Sequence, residues 1–167
     1  MTEETKTVRS RRGGGQGIDD TDRKLLGLLS EDSTRSYADL AKEVNLSAPA
    51  IFERVKRMRS VGIIKRSTIE IDGAKVGRPV LAFVHATFSG WGPRDGYAAL
   101  SGDPDIEEVH SVAGDACLLL KCRCSCAEGL ENLLSRLYAM GNLQTTKTYM
   151  VLSTYEERGP SAMLTES

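Results

Sequence analysis

The stretch NLSAPAIFERVKRMRSVGIIKR, Asn45 to Arg66, carries six cationic side chains, Arg54, Lys56, Arg57, Arg59, Lys65 and Arg66, against the single acid Glu53. Its apolar residues set its geometry. Ile51, Val55 and Met58 recur at spacings of four and three, the period of one buried helical stripe, so the charged residues between them face elsewhere. Ser47 is a suitable N-cap, and Pro49 falls in the first turn, where N–H groups have no intrahelical partner to lose. Asn45 tolerates left-handed backbone and marks a sharp exit from a preceding helix. That helix begins at Ser36, with Asp39 completing a box-like start, and its apolar positions are Tyr37, Leu40, Ala41 and Val44. Two helices joined by a tight turn, with the small Ala41 inside the first, have the proportions of a helix-turn-helix.

Upstream, Asp19 with Asp22 three residues on opens a further helix that buries Leu25, Leu26 and Leu29. Downstream, Gly62-Ile63-Ile64 leads into the alternating run Thr68, Ile69, Glu70, Ile71, the pattern of a wing hairpin. Residues 18–71 are therefore expected to form a winged helix-turn-helix. Residues 1–17 combine charge, no apolar period and Gly13-Gly14-Gly15, which reads as a flexible tail. GGGQG lacks the Lys-Ser/Thr ending of a phosphate-binding loop.

Asp72 to Pro79, DGAKVGRP, reads as a linker. Beyond it strands are expected over Val80–Phe88, Ile106–Ala113, Cys117–Cys124 and Thr145–Thr154, with a short helix over Arg94–Leu100. A clearer helix starts at a capping box of Ser125 and Glu128, runs through Leu130, Leu133, Leu134 and Leu137, and stops at Gly141-Asn142. The order β-α-β-β-α-β over residues 80–158 specifies a ferredoxin-like unit, a four-stranded antiparallel sheet with two helices on one face. Residues 159–167 remain as a C-terminal tail, and the fold class is α+β.

Composition agrees with a globular chain: 167 residues, 40% hydrophobic and 27% charged. Residues 1–66 hold 14 Lys or Arg against 10 acids, whereas residues 67–167 hold 8 against 13. A basic, anion-facing module joined to an acidic one shows this asymmetry. No apolar run approaches a membrane span and the N-terminus lacks the apolar segment of a secretory signal, so a cytoplasmic protein with no membrane partner is expected.

The chain resembles the Lrp/AsnC, or feast/famine, family of transcription regulators from Ile18 to about Arg158. The resemblance rests on IDDTDRKLLGLL, on YADLAKEVNLSAPAIFERVKRMRSVGIIKR, on DPDIEEVHSVAGDACLLLKC and on TTKTYMVLSTYE, in that order and spacing. It implies a winged helix-turn-helix that binds double-stranded DNA, followed by a domain that senses a small effector, in the family usually an amino acid. It also implies a homodimer, with dimers often joined into octamers, and it implies no cofactor.

In such a regulator the recognition helix enters the major groove by its N-terminal end. Ser36, Ser47, Ala48, Pro49, Ala50, Glu53, Arg54 and Arg57 are then the candidates to reach bases or phosphates. Arginine forks suit guanine edges, and glutamate accepts from cytosine. Lys56, Arg59, Lys65 and Arg66 are expected on phosphate, setting register without reading sequence. For the effector, the family's loop usually reads Gly-x-Tyr-Asp, completed by Thr residues of the last strand. Here it is Gly114-Asp115-Ala116-Cys117, so the aromatic wall is lost and Asp115 offers a carboxylate from a shifted position. The candidate effector residues are Ser111, Gly114, Asp115, Ala116, Cys117, Thr146 and Thr148.

Cys122 and Cys124 share strand parity with Leu118 and Leu120 and read as small core residues, while Cys117 points to the opposite face. Cys126 falls in the first turn of the capped helix, where backbone N–H groups favour a thiolate. These directions do not converge on a metal site. His85 and His110 lie within strands as structural residues. Two alternatives accompany the regulator reading: some proteins of this resemblance are siroheme decarboxylases, and a regulator without an effector could respond to oxidation through Cys126.

Overall fold

The computed structural model describes residues 17–89, 98, 100–141 and 143–162. They form two compact units, one running to Thr68 and including the segment from Arg158, the other spanning Ile69–Glu157.

The first unit holds α1 (Asp20–Glu31), α2 (Tyr37–Val44) and α3 (Ala48–Ser60). Asp19 caps α1 in a capping box with Asp22, Ser36 caps α2 by accepting from the Asp39 amide, and Ser47 caps α3 by accepting from the Ala50 amide. Asn45 closes α2 in left-handed backbone at φ 54°, the geometry that turns the chain into α3. Leu25, Leu40, Ala41, Ile51, Val55 and Met58 make the core, with Tyr37, Val44 and Ile64 packed against it.

The expected wing hairpin is not formed. Residues 65–72 adopt no strand, and Ile69 and Ile71 are 78% and 59% exposed. An alternating run becomes a hairpin only if a second run returns beside it. Here Asp72–Gly77 instead winds into a turn, with the Val76 amide on the Asp72 carbonyl and the Arg78 amide on that of Gly73. The Asp72 carboxylate accepts from the amides of Ala74 and Lys75, so the segment read as a linker has a defined conformation. Gly73 is required there: a Cβ would lie 2.6 Å from Arg123 Cδ and 2.8 Å from the Arg78 carbonyl.

The second unit contains β1 (Val80–Phe88), β2 (Ile106–Ser111), β3 (Leu118–Cys124), α4 (Ala127–Ala139) and β4 (Leu143–Met150). The sheet is antiparallel in the order β2-β3-β1-β4. Ala82 faces Cys122, Val84 faces Leu120 and Ala86 faces Leu118, so the alternate residues of both central strands form one apolar surface. Leu130, Leu133 and Leu137 of α4 bury that surface. The helix expected over 94–100 lies outside the described residues except at Ala98 and Leu100, both helical, and Leu100 joins the core. β2 ends at Ser111, sooner than the expected Ala113, and the Val112 amide bonds the Cys117 carbonyl across the loop. Cys126, not Ser125, is the N-cap of α4.

Candidate nucleic-acid interface and effector loop

On α3 the residues that serve the core separate from those that do not. Ile51, Val55 and Met58 are buried, whereas Pro49, Phe52, Glu53, Lys56, Arg59 and Ser60 are exposed. The segment Ser47-Ala48-Pro49-Ala50 forms the cap and first turn, with no acid to oppose an approaching phosphate.

Arg54 and Arg57 do something the sequence did not suggest. Both reach across to α1, where Asp22 is fully buried, at 0% exposure. Arg54 Nη1 donates to Asp22 at 2.9 Å and to Asp19 at 2.7 Å, and Arg57 Nη2 donates to the other oxygen of Asp22. The same Asp22 carboxylate accepts from the Asp19 amide, so both oxygens of the buried anion are hydrogen-bonded, by three donors in all. Burial pushes the Asp22 carboxyl upward, but the hydrogen bonds from Arg57 and Arg54 outweigh it and hold the group below the usual carboxylate range. Asp19 is lowered by the Asp22 amide and then by Arg54, and Arg54 is raised by Asp19 and Asp22.

The Arg54 and Arg57 side chains remain 30% and 27% exposed. Their charge is nonetheless compensated inside the unit. Lys56 stands 4.0 Å from Glu53, and Arg59 donates to Ser67 at 3.4 Å. Lys65 and Arg66 lie beyond the helix and are exposed. Ser36, at the N-cap of α2, gives its hydroxyl to Asp39.

In the second unit the loop Gly114–Cys117 closes onto the end of β1. The Cys117 amide donates to the Ala86 carbonyl, and Thr87 donates to the Asp115 carbonyl at 3.4 Å. Thr146 pairs with Ala86 from the other side and Thr148 with Val84. Ala86 therefore stands between the loop and the Thr146 position. Ser111 pairs with Leu118 at the end of β2. Ala116 is buried, while Gly114, Asp115 and Cys117 are exposed. The Thr146 hydroxyl lies 3.1 Å from that of Tyr138 on α4, an aromatic hydroxyl that sequence reasoning missed.

Residues 18–59 match the model of the AsnC-type helix-turn-helix domain, and residues 81–161 match that of the Lrp/AsnC ligand binding domain. The chain is 30% identical over 142 residues to the HTH-type transcriptional regulator LrpC of Bacillus subtilis, an alignment spanning 85% of this chain and 99% of that one. The chain belongs to the Lrp/AsnC family. To LrpA of Mycobacterium tuberculosis it is 32% identical over 144 residues, 86% of this chain and 96% of that one. The feast or famine regulatory protein of M. tuberculosis, solved in complex with L-methionine, is similar at a TM-score of 0.78 and 31% identity, over 84% of this chain and 96% of that one. This Lrp/AsnC protein is accordingly a DNA-binding transcriptional regulator with a ligand-binding domain. Among the described residues no helix is long and apolar enough to cross a membrane.

The cysteines of this Lrp/AsnC chain divide by burial. Cys122 and Cys124 are buried in the core, and burial pushes the Cys122 thiol up to about 12 and raises that of Cys124. Cys117 and Cys126 are exposed. Cys126 makes no side-chain capping bond, sulfur being a weak acceptor, yet the Gly129 amide and then the Ser125 hydroxyl draw its thiol below the ordinary value. Among the described residues no group of three metal-ligating side chains converges. A disulfide reagent such as Ellman's is expected to titrate two thiols in the native protein, Cys126 first, and all four after denaturation. Four thiols reacting at one rate in the folded protein would contradict the core placement of Cys122 and Cys124.

Proposed function

We propose that the protein is a cytoplasmic homodimer, able to assemble further into octamers, that binds paired DNA half-sites and adjusts its binding to a small effector without catalysing a reaction. The observation that supports this most is the acid-free first turn of α3, with Ser47 and Pro49 exposed, positioned by the left-handed Asn45 turn and the Ser47 cap. Ser47, Ala48, Pro49, Ala50 and Glu53 enter the major groove, and Lys56, Arg59, Lys65, Arg66 and Ser36 contact phosphates. Arg54 and Arg57 position α3 through Asp22 and Asp19. Relatives that bear the names of transcriptional regulators favour this reading over a siroheme-processing one.

Selection from random duplex DNA tests it. A dimer predicts an imperfect palindrome whose half-sites lie about one helical turn, or a multiple of it, apart. Retained DNA without any shared sequence, or with a single unpaired half-site, contradicts the proposal. A Soret band on the purified protein would favour the tetrapyrrole alternative.

For the effector we propose an amino acid held at the loop, its ammonium on Asp115, close backbone approach at Gly114, and hydroxyls from Thr146 and Thr148, with Ser111, Ala116 and Cys117 shaping the site. A ligand that binds only the native state stabilises it by about 2.7 kcal/mol at 100 times its dissociation constant. An amino acid that raises the melting temperature is therefore expected to lose that effect on Asp115→Ala. DNA affinity without ligand is expected to stay unchanged, because Asp115 lies outside the basic unit. A panel of amino acids giving no shift in the unmutated protein would favour the effector-free alternative.

A further inference from the structure

Phe52 is the one large apolar residue of α3 that serves no core. It is 46% exposed, while the buried stripe of α3 and the residues packed on it are complete without it. It is held in place all the same. The Tyr37 ring meets it edge to face, with centroids 5.9 Å apart at 69°, and Lys56 Nζ stands 5.8 Å from its centroid. Both geometries fall within the range of attractive aromatic and cation–π contacts.

Its surroundings indicate what it meets. Tyr37 is the first residue of α2, directly after the Ser36 cap, so Phe52 lies beside the start of α2. On α3 it shares a face with Pro49 and Lys56, at spacings of three and four, on the helix that the proposed function sends into the major groove. An exposed phenyl ring there has no hydrogen bond to offer a base. The one apolar group that base edges present in the major groove is the C5-methyl of thymine, which phenylalanine contacts favourably.

We infer that Phe52 is a specificity-determining residue that selects thymine by covering its methyl group, with Tyr37 fixing the ring and Lys56 keeping a cation over it. This rests on the reading of α3 as the groove-entering helix. Positive charge against the ring favours DNA over an apolar protein partner at this spot, since a partner's apolar surface would have to desolvate Lys56.

Uracil in place of thymine removes the methyl and leaves pairing and hydrogen-bonding edges intact. On an operator selected from random duplex DNA, thymines are replaced by uracil one position at a time, symmetrically in both half-sites. One position is expected to weaken binding by the native protein about fourfold per half-site, the factor for returning one methyl group to water. Phe52→Ala is expected to bind thymine and uracil versions of that operator alike, with an unchanged salt dependence, whereas Phe52→Leu retains part of the discrimination. Because Phe52 is outside the core, circular dichroism of Phe52→Ala is expected to match the native protein. If every uracil replacement leaves native binding unchanged, or if Phe52→Ala discriminates as the native protein does, the inference is overturned while the regulator reading stands. If neither protein selects any DNA, both fall.

Discussion

Asp22→Ala is expected to destabilise the helix-turn-helix unit by about 3 kcal/mol, the low end of what removing one side of a buried ion pair costs. The low end applies because the stranded partners, Arg54 and Arg57, are each about a quarter to a third exposed and can recover hydration. Added to this is the loss of the capping box, since the Asp19 amide also donates to Asp22. For a unit of this size about 3 kcal/mol lowers the melting temperature by roughly 12–24 °C. Asp22→Asn keeps the shape and one acceptor oxygen, so its effect is expected to be smaller. A shift below about 4 °C for Asp22→Ala, near 1 kcal/mol for a small domain, would mean that the triad is ornamental.

The same group sets the acid limit of the unit. The Asp22 carboxyl is held below its unfolded value, so its contribution to stability is complete above the unfolded pKa near 4. It is lost as the pH falls through the folded value. Asp19 shifts in the same direction and joins the same limb. Thermal melts of the native protein are therefore expected to fall more steeply below about pH 4 than those of Asp22→Asn, which has no proton to take up at that position.

Asp22 also shows where sequence reading stops. The helix-turn-helix was legible because each signal in it has one meaning: a stripe at spacings of four and three, a serine before each helix, an asparagine at the turn. Asp22 has two meanings. As the third residue after a cap it marks the start of α1, and there it completes a capping box. It also lies three and four residues before Leu25 and Leu26, on the core-facing side of α1, where an acid must find a cation. That spacing was the available signal, and it paired with the two arginines on the flank of α3. The alternating run at 68–71 failed for the opposite reason: alternation describes a residue's faces but does not supply the neighbouring strand. The sheet of the second unit was legible down to the parity of Cys122 and Cys124, although its last strand runs over Leu143–Met150 and not the expected Thr145–Thr154. Tyr138 was not, because its contact with Thr146 depends on how α4 lies on β4.

The largest expected effect is on DNA binding as salt is raised. Each cation that neutralises a phosphate releases condensed counterions, and the logarithm of affinity falls with that of salt by about 0.9 for each contact. If Lys56, Arg59, Lys65 and Arg66 make these contacts in both subunits, the slope is about −7, and affinity falls roughly 10⁴-fold between 50 and 200 mM salt. Arg54 and Arg57 are left out of that count because Asp22 and Asp19 already balance them. Counting them in both subunits would steepen the slope toward about −11. The slope thus measures whether the two arginines are committed to the fold or to DNA. Fluorescence anisotropy on a selected operator, read across that range, decides between the two values. Lys65→Ala is expected to flatten the slope by about 2 per dimer and to weaken all sequences alike, as a phosphate contact should. A native slope shallower than about −3 would leave too few phosphate contacts for this helix and its flank to be the DNA-binding surface.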